Sequence, residues 1–361
     1  MPTFVIDSAA LSRNMEKLRR FTSAQIIAVV KGNGYGLDLV PYARFLTAQG
    51  VELLAVSTAA EAAALRDAGI TAELLMLSST ALPEEIAALL ARDVILTVGS
   101  ADAARAVSAA AEAQGVTARV YVKLDTGMGR YGFLPQETAE AAALLQALPA
   151  LRVEGVFTHL SDAANTKCTA LQYRRFTEGV RILQEAGIDT GLRHVCASTA
   201  FLRYPEMHLD AVRLGSALLG RLSVPDTLGL ERIGWLEAQV TELKTLPAGW
   251  PVGYTGAYRT RRKTRLALLP VGYTSGVGVT EETNALRLRD RLRRVLHAGR
   301  RLLHADGLTI LVNGCRCPVR GVVGATAIEA DVTGVPCAVG DTVRIEVRPK
   351  FVDSAVPREY R

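Results

Sequence analysis

Three short apolar runs, IIAVV at residues 26–30, LLAV at 53–56 and ELLML at 73–77, decide how this chain is read. Between the last two lies the Ala-rich stretch 58–68, whose apolar residues recur at helical spacing. Runs that are apolar on both faces suit strands covered from both sides, and the helical segments between them supply the cover. Further along, residues 94–98, 119–124, 153–159, 193–197 and 211–214 complete eight strand-like runs, with helical patterns at 101–114, 137–147 and 169–186. Eight alternating units predict an α/β fold, a TIM-like (β/α)8 barrel whose chemistry sits at the C-terminal ends of its strands. The pattern alone leaves a doubly wound open sheet as the competing arrangement.

After about residue 223 the rhythm changes. Residues 237–246, 264–271, 308–312 and 342–347 are β-like and separated by Gly, Pro and Asn turns. The expected organisation is an N-terminal barrel over residues 1–222 and a mostly β C-terminal domain over 223–361, in keeping with a chain long for one domain.

Composition narrows the function classes. No apolar run reaches the roughly 18 residues of a membrane helix, and the N-terminus lacks the pattern of a signal peptide. The expectation is a cytoplasmic protein with no membrane partner. The five cysteines, an odd number, suit reduced thiols. Cys315-Arg-Cys317 has neither zinc nor redox spacing, so no metal is expected. Much of the net charge of +6 falls in the arginine-rich residues 287–301. That stretch reads either as a nucleic-acid surface or as an amphipathic segment with Leu288, Leu292, Val295 and Leu296 facing a core. The second reading is preferred, with no nucleic-acid partner.

Polar residues collect where a barrel builds its site. The first strand runs into Ala28-Val-Val-Lys31-Gly-Asn-Gly-Tyr35-Gly36. Desolvation at a strand mouth lowers a lysine's pKa and makes its amine a good nucleophile toward a carbonyl, although such lysines also serve as salt-bridge partners. Lys123-Leu-Asp125-Thr-Gly-Met-Gly-Arg130 follows the fifth strand and Thr158-His159 ends the sixth. His194-Val-Cys-Ala-Ser198-Thr199 ends the seventh, and Arg213-Leu-Gly215-Ser216 the eighth. Each histidine alone suits a hydrogen-bonded structural role; together these residues describe one convergent site.

The runs AVVKGNGYG and VKLDTGMGRYGF resemble the lysine and arginine motifs of the alanine racemase family. HVCAST, RLGSALLG and VGYTGAYRTRRKTRLALLPVGYTSG are similar to its seventh-strand, eighth-strand and second-base motifs, in the same order. The resemblance implies a pyridoxal-phosphate-dependent racemase acting on a small amino acid, L- and D-alanine above all. It implies that Lys31 holds pyridoxal 5′-phosphate covalently, that Tyr35, Ser198, Gly215 and Ser216 surround the phosphate, and that Arg213 faces the pyridine nitrogen with His194 orienting it. Arg130 is implied near the cofactor's phenolic oxygen and the substrate carboxylate with Lys123 helping to position it, His159 beside the ring, and Tyr273 at the entrance. Racemisation needs a base on each face of the α-carbon. Lys31 and Tyr254 take these roles by resemblance, with Tyr254 supplied across a homodimer.

The chain departs from the family around the substrate. Ala325 and Thr326 occupy the places of a Met-Asp pair that forms the carboxylate pocket, Ala197 replaces an Asn, and Leu37 a His. The C-terminal segment is short, although Pro357-Arg-Glu-Tyr-Arg361 resembles the family's ending. A racemase for another amino acid such as serine, a decarboxylase or aldolase of the same fold, and a non-catalytic pyridoxal-phosphate carrier are the alternative readings.

Overall fold

The computed structural model describes residues 1–280, 295–296 and 307–361. Leu288 and Leu292 of the arginine-rich stretch lie outside the described residues; Val295 and Leu296 are described and are exposed rather than turned to a core. The chain forms two units, Ala9–Ile233 on the one hand and Met1–Ser8 with Gly234–Arg361 on the other.

This division differs from the expected boundary at 222/223, for identifiable reasons. Residues 223–233 stay with the first unit because its first helix holds them: Arg13 pairs bidentately with Glu231 at 2.8 and 2.7 Å, and Asn14 Nδ2 donates to the Leu218 and Glu231 carbonyls. Residues 3–6 leave it because Thr3–Ile6 is a strand of the second unit, antiparallel to Trp235–Gln239 and parallel to Arg358–Tyr360.

The first unit is an eight-stranded parallel sheet made of Gln25–Val29, Leu53–Val56, Glu73–Ser79, Ile95–Val98, Ala118–Lys123, Leu151–Phe157, Leu192–His194 and Ala211–Leu214. The first strand pairs with both the second and the last, so the sheet curls into a barrel. The last joint rests on the bridge Ala197–Arg213 and on Arg213 N donating to the Cys196 carbonyl at 2.9 Å. Alternation along the strands places Ile27, Val29, Leu53, Ala55, Leu75, Ile95, Tyr121 and Phe157 in one buried cluster, the filled interior such barrels require.

Among its described residues the second unit carries a nine-stranded sheet. Besides the β-like stretches read from the sequence, it includes Cys315–Arg320 and Ile328–Asp331, and the short hairpin Pro251–Val252/Tyr258–Arg259 stands apart. The five cysteines are unpaired. Among the described residues no helix is long and apolar enough to cross a membrane, and no group of three or more His, Cys, Asp or Glu could hold a metal.

Candidate active site

The first barrel strand does not continue into an ordinary helix. Residues Gly32, Asn33, Gly34, Tyr35 and Gly36 all take positive φ, from 53° to 88°, so Lys31 is followed by a left-handed turn. Such backbone costs an ordinary L-residue roughly 1–2 kcal/mol; glycine at 32, 34 and 36 removes most of that cost. Asn33 stabilises the turn through its own side chain, whose Oδ1 accepts the Leu39 N–H at 2.9 Å.

Lys31 lines a cavity of about 720 Å³ at the strand ends, together with Tyr35, Lys123, Arg130, His159, Ser198, Arg213, Gly215 and Ser216. Residues separated by well over a hundred positions therefore meet in one place. Ser57, Ser78, Leu77 and Phe157 join the lining without having been singled out in the sequence.

Arg213 is buried and organises the floor. Its guanidinium donates to the Thr158 carbonyl at 2.6 Å and to the His194 and Val195 carbonyls at 3.1 Å, and it bonds His194 Nδ1. Among the described residues no carboxylate pairs with it, and burial pushes its pKa down to about 10. Since arginine only donates, His194 Nδ1 must accept, which leaves the proton on Nε2. His194 is itself buried, stacks on Phe157 at 5.0 Å, and its Nε2 has no described partner. Burial and the Arg213 charge hold it neutral, its pKa well below the usual value.

The cavity is electropositive. Burial, then Arg213, Lys123, Arg130 and Lys31, depress the His159 pKa to about 3. Burial and Arg130 lower that of Lys31, with Glu61 opposing them. Burial, Arg130 and Arg213 bring Lys123 to about 7; its Nζ sits 5.3 and 5.1 Å from the Tyr131 and Phe157 rings. Arg130 ends a loop built on Asp125, whose carboxylate accepts the Gly127, Met128 and Arg130 N–H groups at 2.9, 2.7 and 3.0 Å. Those hydrogen bonds outweigh burial and keep Asp125 below the usual carboxylate range.

Tyr35 and Gly215 fit each other closely. A Cβ built on Gly215 would lie 2.4 Å from the Tyr35 hydroxyl. Ser198 Oγ accepts the Gly215 and Ala217 N–H groups at 3.4 and 3.1 Å and keeps its own proton to donate.

Tyr254, Tyr273 and Ala325 belong to the second unit, where they meet in one loop cluster. Tyr273 N donates to the Gly324 carbonyl at 3.0 Å, Thr274 bonds the Ala325 carbonyl, and the Tyr254 ring lies 3.6 Å from a Cβ built on Gly324. Both tyrosines are exposed.

A parallel (β/α)8 barrel with a partly desolvated lysine after its first strand, continued by a β-rich unit, is the architecture of fold-type III pyridoxal-phosphate enzymes. The match is more specific than that class. The model of the alanine racemase N-terminal domain matches residues 6–223 and that of the C-terminal domain 233–351. The chain belongs to the alanine racemase family of isomerases. The alanine racemase of Methanococcus maripaludis is 33% identical over 357 residues, covering 94% of this chain and 87% of that protein. That of Desulfovibrio desulfuricans is 35% identical over 354 residues with the same coverage. Among solved structures, alanine racemase from Streptomyces lavendulae superposes with a TM-score of 0.86 at 28% identity, covering 100% of this chain and 97% of that one. Alanine racemase from Bacillus anthracis with bound L-Ala-P gives 0.81 at 28%, covering 100% and 95%.

Proposed function

We propose that this protein interconverts L- and D-alanine, with pyridoxal 5′-phosphate held by Lys31 and with Lys31 and Tyr254 as the two bases. The observation that carries the reading is the Lys31 amine, its pKa lowered by burial and Arg130, in one cavity with hydroxyl donors and an arginine that no described carboxylate pairs. The donor set suits the cofactor at each end. An amine faces an aldehyde, the hydroxyls of Tyr35, Ser198 and Ser216 and the backbone at Gly215 suit a phosphate, and Arg213 suits a pyridine nitrogen. When bound, the cofactor supplies an electron sink that makes the α-proton removable.

The chain's own groups set the rest. Arg213 stays protonated at neutral pH even with a pKa of about 10, so it donates a hydrogen bond without handing over its proton. Beside a bound cofactor this would restrain how strongly its ring withdraws electrons and would favour return of the proton to carbon over side reactions. Arg130 provides a cation for the substrate carboxylate. Lys31 Nζ holds or releases the proton on one face, and the Tyr254 hydroxyl does so on the other. The exposed ring of Tyr254 supports a homodimer in which Tyr254 of the partner subunit completes each site.

A racemase of another small amino acid such as serine is the second reading, favoured by Ala325 and Thr326 beside the tyrosine loops. Chiral analysis of purified protein given a panel of L-amino acids in deuterium oxide tests both. D-Alanine formed fastest, with deuterium at the α-carbon, is the expected result; D-serine formed fastest supports the second reading. Borohydride reduction should fix a pyridoxyl group on Lys31, and undiminished labelling in Lys31→Ala would refute the attachment site.

A further inference from the structure

We infer that Glu61 is a positioning residue for Lys31, fixing the backbone turn from which its amine enters the cavity. The inference rests on Lys31 being the reactive amine. Glu61 lies in the first turn of the helix Ala59–Asp67, after the N-cap Thr58, whose Oγ1 accepts the Glu61 N–H at 3.2 Å. A glutamate at this place commonly turns back to the N-cap's own N–H. Here its carboxylate joins two strand ends instead. Oε2 accepts the Ser57 N–H at 2.9 Å and the Ser57 hydroxyl at 3.3 Å, while Oε1 accepts the Gly32 N–H at 2.6 Å.

The place of that second contact matters. The first and second strands keep pace as far as Val30 N, which donates to the Ala55 carbonyl at 2.9 Å. Beyond it the backbone enters the left-handed turn, and the Gly32 N–H immediately after Lys31 goes to Glu61. The Ser57 carbonyl in turn accepts the Ser78 hydroxyl at 2.9 Å, so three neighbouring strand ends are tied together beside the amine. A charged acceptor makes the stronger hydrogen bonds, and two oxygens serve both ends at once.

The same carboxylate opposes the local field. Lys31 faces Arg130 from the loop after the fifth strand, Lys123 on that strand, Arg213 on the eighth, neutral His159 after the sixth, and Tyr35 on its own turn. Among the described residues, Glu61 is the carboxylate that supports the protonated amine against these cations. A base that takes a proton from carbon must hold it until it is returned, and cationic neighbours alone would weaken that hold.

The test is competitive acylation of the full-length protein freed of cofactor, read by peptide mass spectrometry across pH with the other lysines as internal standards. Glu61→Gln keeps the size and one acceptor oxygen but removes the charge. The Lys31 labelling midpoint should move to lower pH, raising its labelling at neutral pH about threefold or more. In the cofactor-loaded protein kcat should fall on the order of 10- to 100-fold. Thr58→Ala weakens the same helix terminus without touching the carboxylate and should leave both readouts near wild type. Glu61→Asp keeps the charge but is too short to reach both strand ends; it should hold the midpoint near wild type while kcat falls. Because the labelling reads the free amine, it stands whether or not borohydride finds the cofactor on Lys31. An unchanged Lys31 midpoint and kcat in Glu61→Gln, with only the stability loss seen in Thr58→Ala, would reduce Glu61 to a helix cap and overturn the inference.

Discussion

Gly215→Ala should leave the barrel folded yet sharply weaken cofactor binding. The added Cβ would sit 2.4 Å from the Tyr35 hydroxyl and 2.6 and 2.7 Å from ring carbons Cζ and Cε2. Such separations are not tolerated, so one partner must move. Gly215 has no positive φ to forbid alanine, and the Tyr35 backbone is held in the left-handed turn. The ring therefore swings into the cavity it lines. Overpacking a closed core costs about 1–3 kcal/mol; with open space to receive the ring, the loss should sit at about 1 kcal/mol. The hydroxyl, however, is carried away from its place at the proposed phosphate site. A hydrogen bond to a charged group contributes roughly 1.5–3 kcal/mol, or about 10- to 150-fold in Kd. Equilibrium dialysis of pyridoxal phosphate against the variant, alongside urea unfolding, separates the two effects. Tyr35→Phe sets the scale for the hydroxyl alone, and Gly215→Ala added to Tyr35→Ala should be nearly neutral, since the clash has gone. An unchanged Kd in Gly215→Ala, or the same loss in the Tyr35→Ala background, would refute the argument.

Tyr254→Phe should still bind cofactor but exchange the α-proton of one enantiomer only, with racemisation lower by about 10²–10⁴; equal exchange from both enantiomers points to another second base. Mixing Lys31→Ala with Tyr254→Phe protein should restore part of the activity once subunits exchange, because each mixed dimer holds one intact site; proven exchange without recovery places the tyrosine in its own chain's site. His159 gives a pH signature. Its folded pKa of about 3 lies below the usual 6.5, so the unfolded chain binds more protons between these values, and stability is lost as pH falls below about 6.5. The slope from this group approaches about 1.4 kcal/mol per pH unit. Urea unfolding at two pH values in that window should show a shallower dependence in His159→Gln, and an identical dependence would argue against the buried neutral imidazole.

How far the fold could be read in advance varies from strand to strand. The seventh strand, expected over 193–197, ends at His194 because the Val195 carbonyl turns to the Arg213 guanidinium; beyond it the Cys196 carbonyl and the Ala197–Arg213 bridge return to the eighth strand. The sixth, expected to reach 159, ends at Phe157, with the Thr158 carbonyl given to the same guanidinium. Periodicity sees apolar content and not where a carbonyl is spent. Thr58-Ala-Ala-Glu61 has the spacing of a helix-capping pair, a signal that reports a helix start and says nothing of Gly32.

By itself the sequence determined the alternation of buried strands and covering helices, the β character of the second half, and the residue types at the strand ends. These are properties of neighbouring residues, whose spacing sets which side chains share a face. Tertiary structure alone decided what depends on partners distant along the chain. Thr3–Ile6 belongs to the second unit because its ladder partners are Trp235–Gln239 and Arg358–Tyr360. His194 lies under Arg213 rather than in the cavity lining because the guanidinium needs an acceptor beneath it. The lowered pKa values of Lys31, Lys123 and His159 exist because barrel closure brings cations from several strand ends into one poorly hydrated space, where charge is far costlier than in water.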